Sequence, residues 1–352
     1  DSRYIDRLPI RRKSAPQEKE TDKQVAYNPT SEHGGLGTLV PINMQTAIQT
    51  ALDKIAAEHG SVDKFVADEL GYTVGSKAFL DAFAAEQVDA IALAISNFKK
   101  DAGFIIGDQT GIGKGRVKAA VSRWAIKNGL TPIFVTEKPN LYGDMYRDMG
   151  DIGVPDFLGR EPRMFMTNTG EQFPLDADAL DYLAARDLAD QLGQPRPPRY
   201  GKFLSAFSGE RQKRTLNELA ATGKAGEYDV VFTTYNPMQT VKGAETERSL
   251  FLKAIAPNAV LIFDASHNAG GQEGKPRPPK KGVPPPIPRS QTARELVSLA
   301  RSVFYSSATF AKRPSVMDLY SKTDMRLAVD DDVTKLAGAI KDGGVPMQQV
   351  VS

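Results

Sequence analysis

Five short, continuously apolar segments, separated by long polar and helix-like stretches, restrict the possible folds of this chain most strongly. They are residues 103–106, 132–136, 229–233, 259–263 and 303–306. Unbroken apolar runs of this length are typical of strands buried on both faces, and the long connections favour parallel pairing. The sequence therefore predicts an α/β protein, with an open parallel sheet flanked by helices. Ligands of such sheets bind beyond the carboxyl ends of the strands.

The segments around this alternation suggest further regions. Residues 1–42 are polar and are interpreted as an arm or linker, and residues 43–80 have helical spacing and form a small helical prelude. The main domain is expected over residues 81–352. Within it we expect an insertion at about residues 156–215 and a basic, Pro-rich loop at residues 271–290.

Composition excludes several classes of protein. The absence of Cys excludes disulfides and thiolate metal sites and suits a reducing cytoplasm, and three His residues argue against a His-based metal cluster. The net charge is only +2, so a nucleic-acid surface would have to be a local patch. No apolar run approaches a membrane span, and no membrane partner is expected.

Residues 107–116 read Gly-Asp-Gln-Thr-Gly-Ile-Gly-Lys-Gly-Arg and connect the first apolar segment to a helix-like stretch at residues 117–124. Glycines in such a turn let backbone N–H groups approach phosphate oxygens. The positive end of the following helix and the charge of Lys114 act on the same anion. This layout is typical of a phosphate-binding loop.

Two positions of this loop depart from the usual pattern. Asp108 replaces the opening Gly or Ala, and Gly115 replaces the Ser or Thr whose hydroxyl binds Mg²⁺. Taken alone, the loop therefore leaves nucleotide binding and an ordinary strand-to-helix turn equally open.

Two later segments supply a second half for the site. The apolar run at residues 261–263 ends in Asp264, as in NTPases that hold Mg²⁺ opposite the phosphate loop, although an acid there is also ordinary turn chemistry. Residues 264–267 occupy the place of an Asp-Glu-x-His box. The strand at 303–306 runs into Ser307-Ala308-Thr309, the Ser-Ala-Thr of helicase motif III.

With these segments in this order, the chain resembles superfamily 2 helicases, and more closely the strawberry notch-like helicase and NTPase family, over residues 80–350. That family tolerates both Asp108 and Gly115. The resemblance implies a RecA-like P-loop NTPase domain with ATP and Mg²⁺ as its ligands.

The resemblance also implies roles for single residues. It assigns ATP binding to Gln87, Thr110, Gly111, Ile112, Gly113, Lys114, Gly115 and Arg116. Gln87 sits where a Q-motif-like segment would read the adenine, and a polar residue on an amphipathic helix is an equal alternative. Catalytic roles fall to Lys114, Asp264 and His267, with Asp264 as the metal ligand. Coupling falls to Ser307, Ala308 and Thr309.

Ala265 departs from the pattern of the family that the chain resembles, and this difference affects the chemistry. The family carries Glu there as the general base that orients the attacking water, and a methyl group can neither accept a proton nor position water. We expect nucleotide binding to survive while hydrolysis is lost. We interpret Ala265 as a deliberate substitution, and a natural pseudo-ATPase is the alternative.

Residues following two of the strands are candidates for nucleic-acid contact. They are Lys138, Pro139, Asn140, Thr234, Tyr235 and Asn236. Thr, Asn and Lys donate to phosphates, and Tyr235 is expected to stack on a base. Ordinary surface turn chemistry is the alternative. The basic loop at 271–290 would add salt-sensitive affinity, although a linker or a polyproline II peptide has the same composition.

The sequence thus predicts the ATP-binding first motor domain of a nucleic-acid-dependent ATPase or helicase, with DNA favoured as its track and RNA left open. A second motor domain is expected C-terminal to this chain, and a cytoplasmic, bacterial or phage setting is favoured. A nucleotide-regulated binding module without turnover remains open. The segment at 307–309 disfavours a P-loop kinase or transferase.

Overall fold

The computed structural model describes four stretches of the chain, residues 24–106, 112–238, 245–264 and 289–306. Its first part is a two-stranded antiparallel ribbon of β1 (Gln24–Ala26) and β2 (Leu39–Pro41). Four helices follow it: α1 (Ile42–His59), α2 (Val62–Leu70), α3 (Lys77–Ala82) and α4 (Ala85–Phe98).

Eight further strands follow along the chain. They are β3 (Phe104–Ile106), β4 (Thr131–Thr136), β5 (Met164–Met166), β6 (Gln172–Pro174), β7 (Phe203–Ser205), β8 (Val230–Thr234), β9 (Ala259–Asp264) and β10 (Ser302–Ser306). Six of them form a parallel sheet in the order β3-β10-β9-β4-β8-β5, and β6 pairs with β7 in a separate antiparallel ribbon. The prediction of a parallel α/β sheet is confirmed, and the five predicted strands all belong to it.

Seven more helices complete the described fold. They are α5 (Lys114–Lys127), α6 (Tyr142–Asp151), α7 (Val154–Leu158), α8 (Ala177–Gln191), α9 (Gly209–Thr222), α10 (Glu247–Ile255) and α11 (Arg289–Leu299). None of the helices in the described stretches is both long and apolar enough to cross a membrane.

The strands are apolar throughout because each face of the sheet has its own core. Successive side chains of a strand point to opposite faces. Phe134 therefore packs with α1, α2, α4 and α5 on one face, whereas Ile133 and Val135 pack with α10 and α11 on the other. The layers place α5 directly against β4, β9 and β10.

The helices predicted as a separate prelude share this core. Leu52 of α1 and Phe65 of α2 belong to the same buried cluster as Val117 of α5 and Phe304 of β10. A boundary between residues 80 and 81 therefore does not divide two cores, because α4 packs against α1 and α2 as well as α5.

The predicted insertion at 156–215 is too wide. Strand β5 lies inside that range but pairs with β8 as an edge of the main sheet, and α9, which begins inside it, packs on α10. Within that range, the elements that form a separate insertion are β6, α8 and β7, because β6 and β7 pair with each other and not with the main sheet. The error arises because the three-residue run Met164-Phe165-Met166 is too short to stand out as a strand.

The described part of the predicted arm is fastened to α4. The Asp89 carboxylate accepts hydrogen bonds from Tyr27 Oη at 2.6 Å and from the backbone N–H groups of Thr30 and Ser31 at 2.8 and 3.0 Å. Glu86 accepts from the N–H of Leu36 at 2.9 Å. Residues 24–41 are thus part of the domain and not a free linker.

Candidate functional site

The phosphate-loop segment joins β3 to α5, as predicted. Residues 107–111 lie outside the described stretches, so the loop is seen from Ile112 onward. Gly113 precedes the first turn of α5 with φ of 74°, a conformation that glycine adopts without steric cost. Lys114, the first residue of α5, is half-buried.

Gln87 of α4 holds the end of this loop. Its Nε2 donates to the carbonyl oxygens of Ile112 at 2.6 Å and Gly113 at 3.2 Å, and its Oε1 accepts from the N–H of Ala84 at 2.9 Å. The side chain is buried and positions the end of the phosphate loop. The adenine contact assigned to Gln87 stays a prediction.

Two glycines of the loop make room for specific neighbours. A Cβ on Gly113 would lie 2.5 Å from Gln87 Nε2. A Cβ on Gly115 would collide with Oδ2 of Asp148, which extends from α6. Asp148 belongs to no recognised motif and was not predicted from the sequence, because its position depends on how α6 packs against α5.

Arg116 is directed away from the loop. Its Nη1 donates to the carbonyl oxygens of Asp81 at 2.9 Å and Ala82 at 2.7 Å, at the end of α3, and its Nη2 lies 3.7 Å from Asp151. Arg116 thus has a structural role in this arrangement, and its binding of nucleotide stays a prediction. Carbonyls at the end of a helix attract cations, so this guanidinium ties α3 to α5.

The second half of the site lies at the end of β9. Asp264 Oδ1 accepts a hydrogen bond from Lys118 Nζ at 2.7 Å, and Oδ2 accepts from Thr136 Oγ1 at 3.2 Å. Lys118 lies one turn after Lys114 on α5. The structure therefore brings Asp264 against the helix that begins in the phosphate loop, as the sequence predicts.

A comparison with known families matches the part of the chain that contains the phosphate loop. A family model described as P-loop containing NTP hydrolase pore-1 matches residues 60–168, which include α4, the loop segment, α5 and α6. The match supports a P-loop NTPase fold for this part of the chain. A search of curated proteins found no match to the chain.

The residues around Asp264 are compatible with the magnesium ion that P-loop NTPases use. Carboxylate oxygens are hard ligands that Mg²⁺ prefers, and Asp264, held by the Thr136 hydroxyl, supplies them. A cavity of about 50 Å³ adjoins Asp264 and is lined in part by Asp148 and Lys118. No group of three or more His, Asp or Glu residues in the described part of the P-loop domain is placed to hold a metal unaided. Nucleotide phosphates and water would therefore have to complete the coordination.

The residues predicted to contact nucleic acid differ in exposure. Lys138, Asn140 and Asn236 are exposed, and Pro139 begins a short 3-10 turn before α6. Their contact with nucleic acid stays a prediction. Thr234 is buried at the end of β8, so a contact by its hydroxyl would need the strand end to rearrange.

Tyr235 does not act as predicted. Its side chain is 2% exposed, its ring centroid lies 6.0 Å from that of Phe263, and its Oη donates to the backbone oxygen of Asp264 at 2.6 Å. Stacking on a base is wrong for this arrangement, because the ring points into the core beneath the strand ends. Tyr235 instead supports the strand that carries Asp264.

Several predicted site residues lie outside the described stretches. They are Thr110, Gly111, Ala265, His267, Ser307, Ala308 and Thr309, together with most of the basic loop at 271–290. Their assigned roles stay predictions of the sequence.

Proposed function

We propose that this chain is the first motor domain of a nucleic-acid-dependent ATPase of the superfamily 2 helicase class, resembling strawberry notch-like proteins. The strand order supports this proposal. In the sheet, β10 lies between β3, which leads into the phosphate loop, and β9, which ends in Asp264. Because the carboxyl ends of parallel strands meet at one edge, the end of β10 at Ser306 lies between the two halves of the proposed nucleotide site.

In this proposal the phosphates of ATP bind to the amide groups of the loop and to Lys114, at the N-terminus of α5. Asp264, oriented by Thr136, would hold Mg²⁺, which when bound neutralises charge on the phosphates. Ala265 lacks the carboxylate that would orient the attacking water. The chain as given would therefore bind ATP and hydrolyse it very slowly.

The observation that carries the nucleic-acid dependence is the pair of contacts that Asp264 receives. Thr136, the last residue of β4, donates to its side chain, and Tyr235, directly after β8, donates to its backbone oxygen. The exposed candidates Lys138 and Asn236 follow these two residues closely in the chain. A shift of either loop on a DNA backbone would therefore be transmitted to the residue that holds the metal.

The test is to restore the acid with Ala265→Glu in a chain that includes the second motor domain. We expect ATP hydrolysis that rises when single-stranded DNA is added, and no comparable turnover in the Ala265 chain. A matched control adds Lys114→Ala to the restored enzyme and should abolish its turnover. If the restored chain hydrolyses no ATP with or without DNA or RNA, the motor proposal fails.

The competing proposal is a binding module that uses nucleotide occupancy as a signal without turnover. Ala265 is the observation that favours it, because a natural alanine there would remove the general base. The same experiment separates the two proposals. A restored chain that stays inactive but binds DNA with an affinity that depends on ATP would support the module.

A further inference from the structure

The phosphate loop lacks the hydroxyl that P-loops usually direct at Mg²⁺, and Gly115 stands in its place. The space that a side chain would fill there is taken by another residue. A Cβ built on Gly115 would collide with Oδ2 of Asp148, and its distance to Asp148 Cγ would be 3.0 Å. A serine hydroxyl oxygen sits one bond beyond its Cβ. The Asp148 carboxylate therefore occupies space that any side chain at position 115 would need.

Asp148 reaches this position because α6 packs closely on α5. Its side chain is 17% exposed, and Nη2 of Arg147 lies 3.9 Å from its Oδ1. Burial raises the pKa of the Asp148 carboxyl, and the neighbouring Asp151 and Asp144 act in the same direction, against the positive charges of Arg147 and Lys118.

Asp148 also faces the residue proposed to hold the metal. Asp148, Asp264 and Lys118 line one cavity of about 50 Å³. Within it, the Lys118 ammonium donates to Asp264 at 2.7 Å, so a positive charge already occupies the Asp264 side of this space. Asp144 lines the same cavity, so three carboxyl groups and one ammonium border a space with the hard oxygen groups that Mg²⁺ prefers.

We propose that Asp148 replaces the missing loop hydroxyl and is, with Asp264, the second protein ligand of the nucleotide-bound Mg²⁺. This inference rests on the nucleotide binding proposed above. The proposal also accounts for glycine at position 115. Any larger residue there would displace the Asp148 carboxylate, which takes over metal binding from the usual loop hydroxyl. The same proposal assigns a role in metal binding to α6, which follows the first of the two predicted nucleic-acid loops.

The first test measures the affinity of the chain for Mn²⁺ by electron paramagnetic resonance, in the presence of saturating ADP. Asp148→Asn should weaken Mn²⁺ binding about tenfold or more, while ADP affinity measured in EDTA stays unchanged. Asp144→Asn is the matched control, because Asp144 lies on the same helix and lines the same cavity without approaching Gly115. Equal losses in the two variants, or no loss in Asp148→Asn, would overturn the proposal.

The second test moves the oxygen ligand back to the loop. Asp148→Ala alone should lose Mn²⁺ affinity, and Gly115→Ser alone should be impaired because its side chain meets Asp148. The double variant with Gly115→Ser and Asp148→Ala should recover most of the affinity. A double variant no better than Asp148→Ala, with ADP binding intact, overturns this inference alone. A parent chain that binds no ADP in either condition overturns the proposed function and this inference together.

Discussion

Lys118 Nζ lies 2.7 Å from Asp264 Oδ1, with side-chain exposures of 14% and 20%. The same ammonium lies 5.6 Å from the ring centroid of Phe134. The carboxylate that we assign to Mg²⁺ therefore has a cation of the protein as its partner. Because a metal ion and an ammonium compete for the same oxygen atoms, Lys118 should set how tightly Asp264 binds Mg²⁺.

Replacing Lys118 with Met should make the stability of the chain more dependent on Mg²⁺. Without the metal, Asp264 loses its ion pair, and the free energy of unfolding should fall by about 1 kcal/mol. Added Mg²⁺ should restore more of the melting temperature than it does in the parent chain. Lys127→Met, at the exposed end of α5, is the control. Equal Mg²⁺ responses in both variants would show that Lys118 does not compete with the metal.

Gln87→Ala should weaken the binding of all nucleoside triphosphates equally, whichever base they carry. The variant loses two hydrogen bonds to the loop carbonyls, and we expect about a tenfold loss of affinity. ATP, GTP and inorganic triphosphate should be affected alike. Gln87→Glu should be worse, because a carboxylate would face two carbonyl oxygens. A loss confined to adenine nucleotides would instead support base recognition by Gln87.

Gly113→Ala should impair the loop more than its backbone angle alone explains. Gly113 and Gly129 both have φ near 70°, at 74° and 71°. Only at Gly113 does an added Cβ meet a neighbour, Gln87 Nε2 at 2.5 Å. Both variants should lose about 1–2 kcal/mol of stability from left-handed backbone strain. Gly113→Ala alone should also reduce nucleotide affinity, measured by titration with a fluorescent ATP analogue. Equal affinities in the two variants would contradict the packing of Gln87 on the loop.

Arg123→Lys should destabilise the domain by about 2–4 kcal/mol, although it keeps the charge. The guanidinium donates to the carbonyl oxygens of Leu70 at 2.7 Å and Ile152 at 2.9 Å, and its Cζ lies 3.8 Å from the ring centroid of Tyr72. A lysine cannot reach two such acceptors and stack on the ring at once. Urea unfolding measures the loss, and the exposed substitution Arg147→Lys should change little. A loss below about 0.5 kcal/mol would contradict this description.

The elements found from the sequence were those with strong local signals. Strands β4 and β9 are unbroken apolar runs, and the glycines before Lys114 mark the turn into α5. Asp264 was placed correctly because an acid that ends a buried strand must lie at the sheet edge.

Features that depend on packing between distant segments were missed or misassigned. Whether Gln87 faces a base or the loop is decided by the distance between α4 and α5. Asp148 could be recognised as a candidate site residue only from its close approach to Gly115 in the folded chain. Tyr235 directly follows β8 in the sequence, yet its ring is buried and its hydroxyl donates to the backbone oxygen of Asp264. None of these three relationships has a periodic pattern that the sequence alone could reveal.

The most direct test of the account is the equilibrium binding of ATP with Mg²⁺ to the 352-residue chain, compared with its Lys114→Ala variant. Because Ala265 should prevent turnover, calorimetry can follow ATP itself. We predict saturable binding of one ATP to the parent chain and a loss of at least about a hundredfold in the variant, whose thermal stability should be retained. Absence of binding to the parent chain, or equal affinity in the two proteins, would contradict the central claim that the loop ending at Lys114 is a nucleotide site.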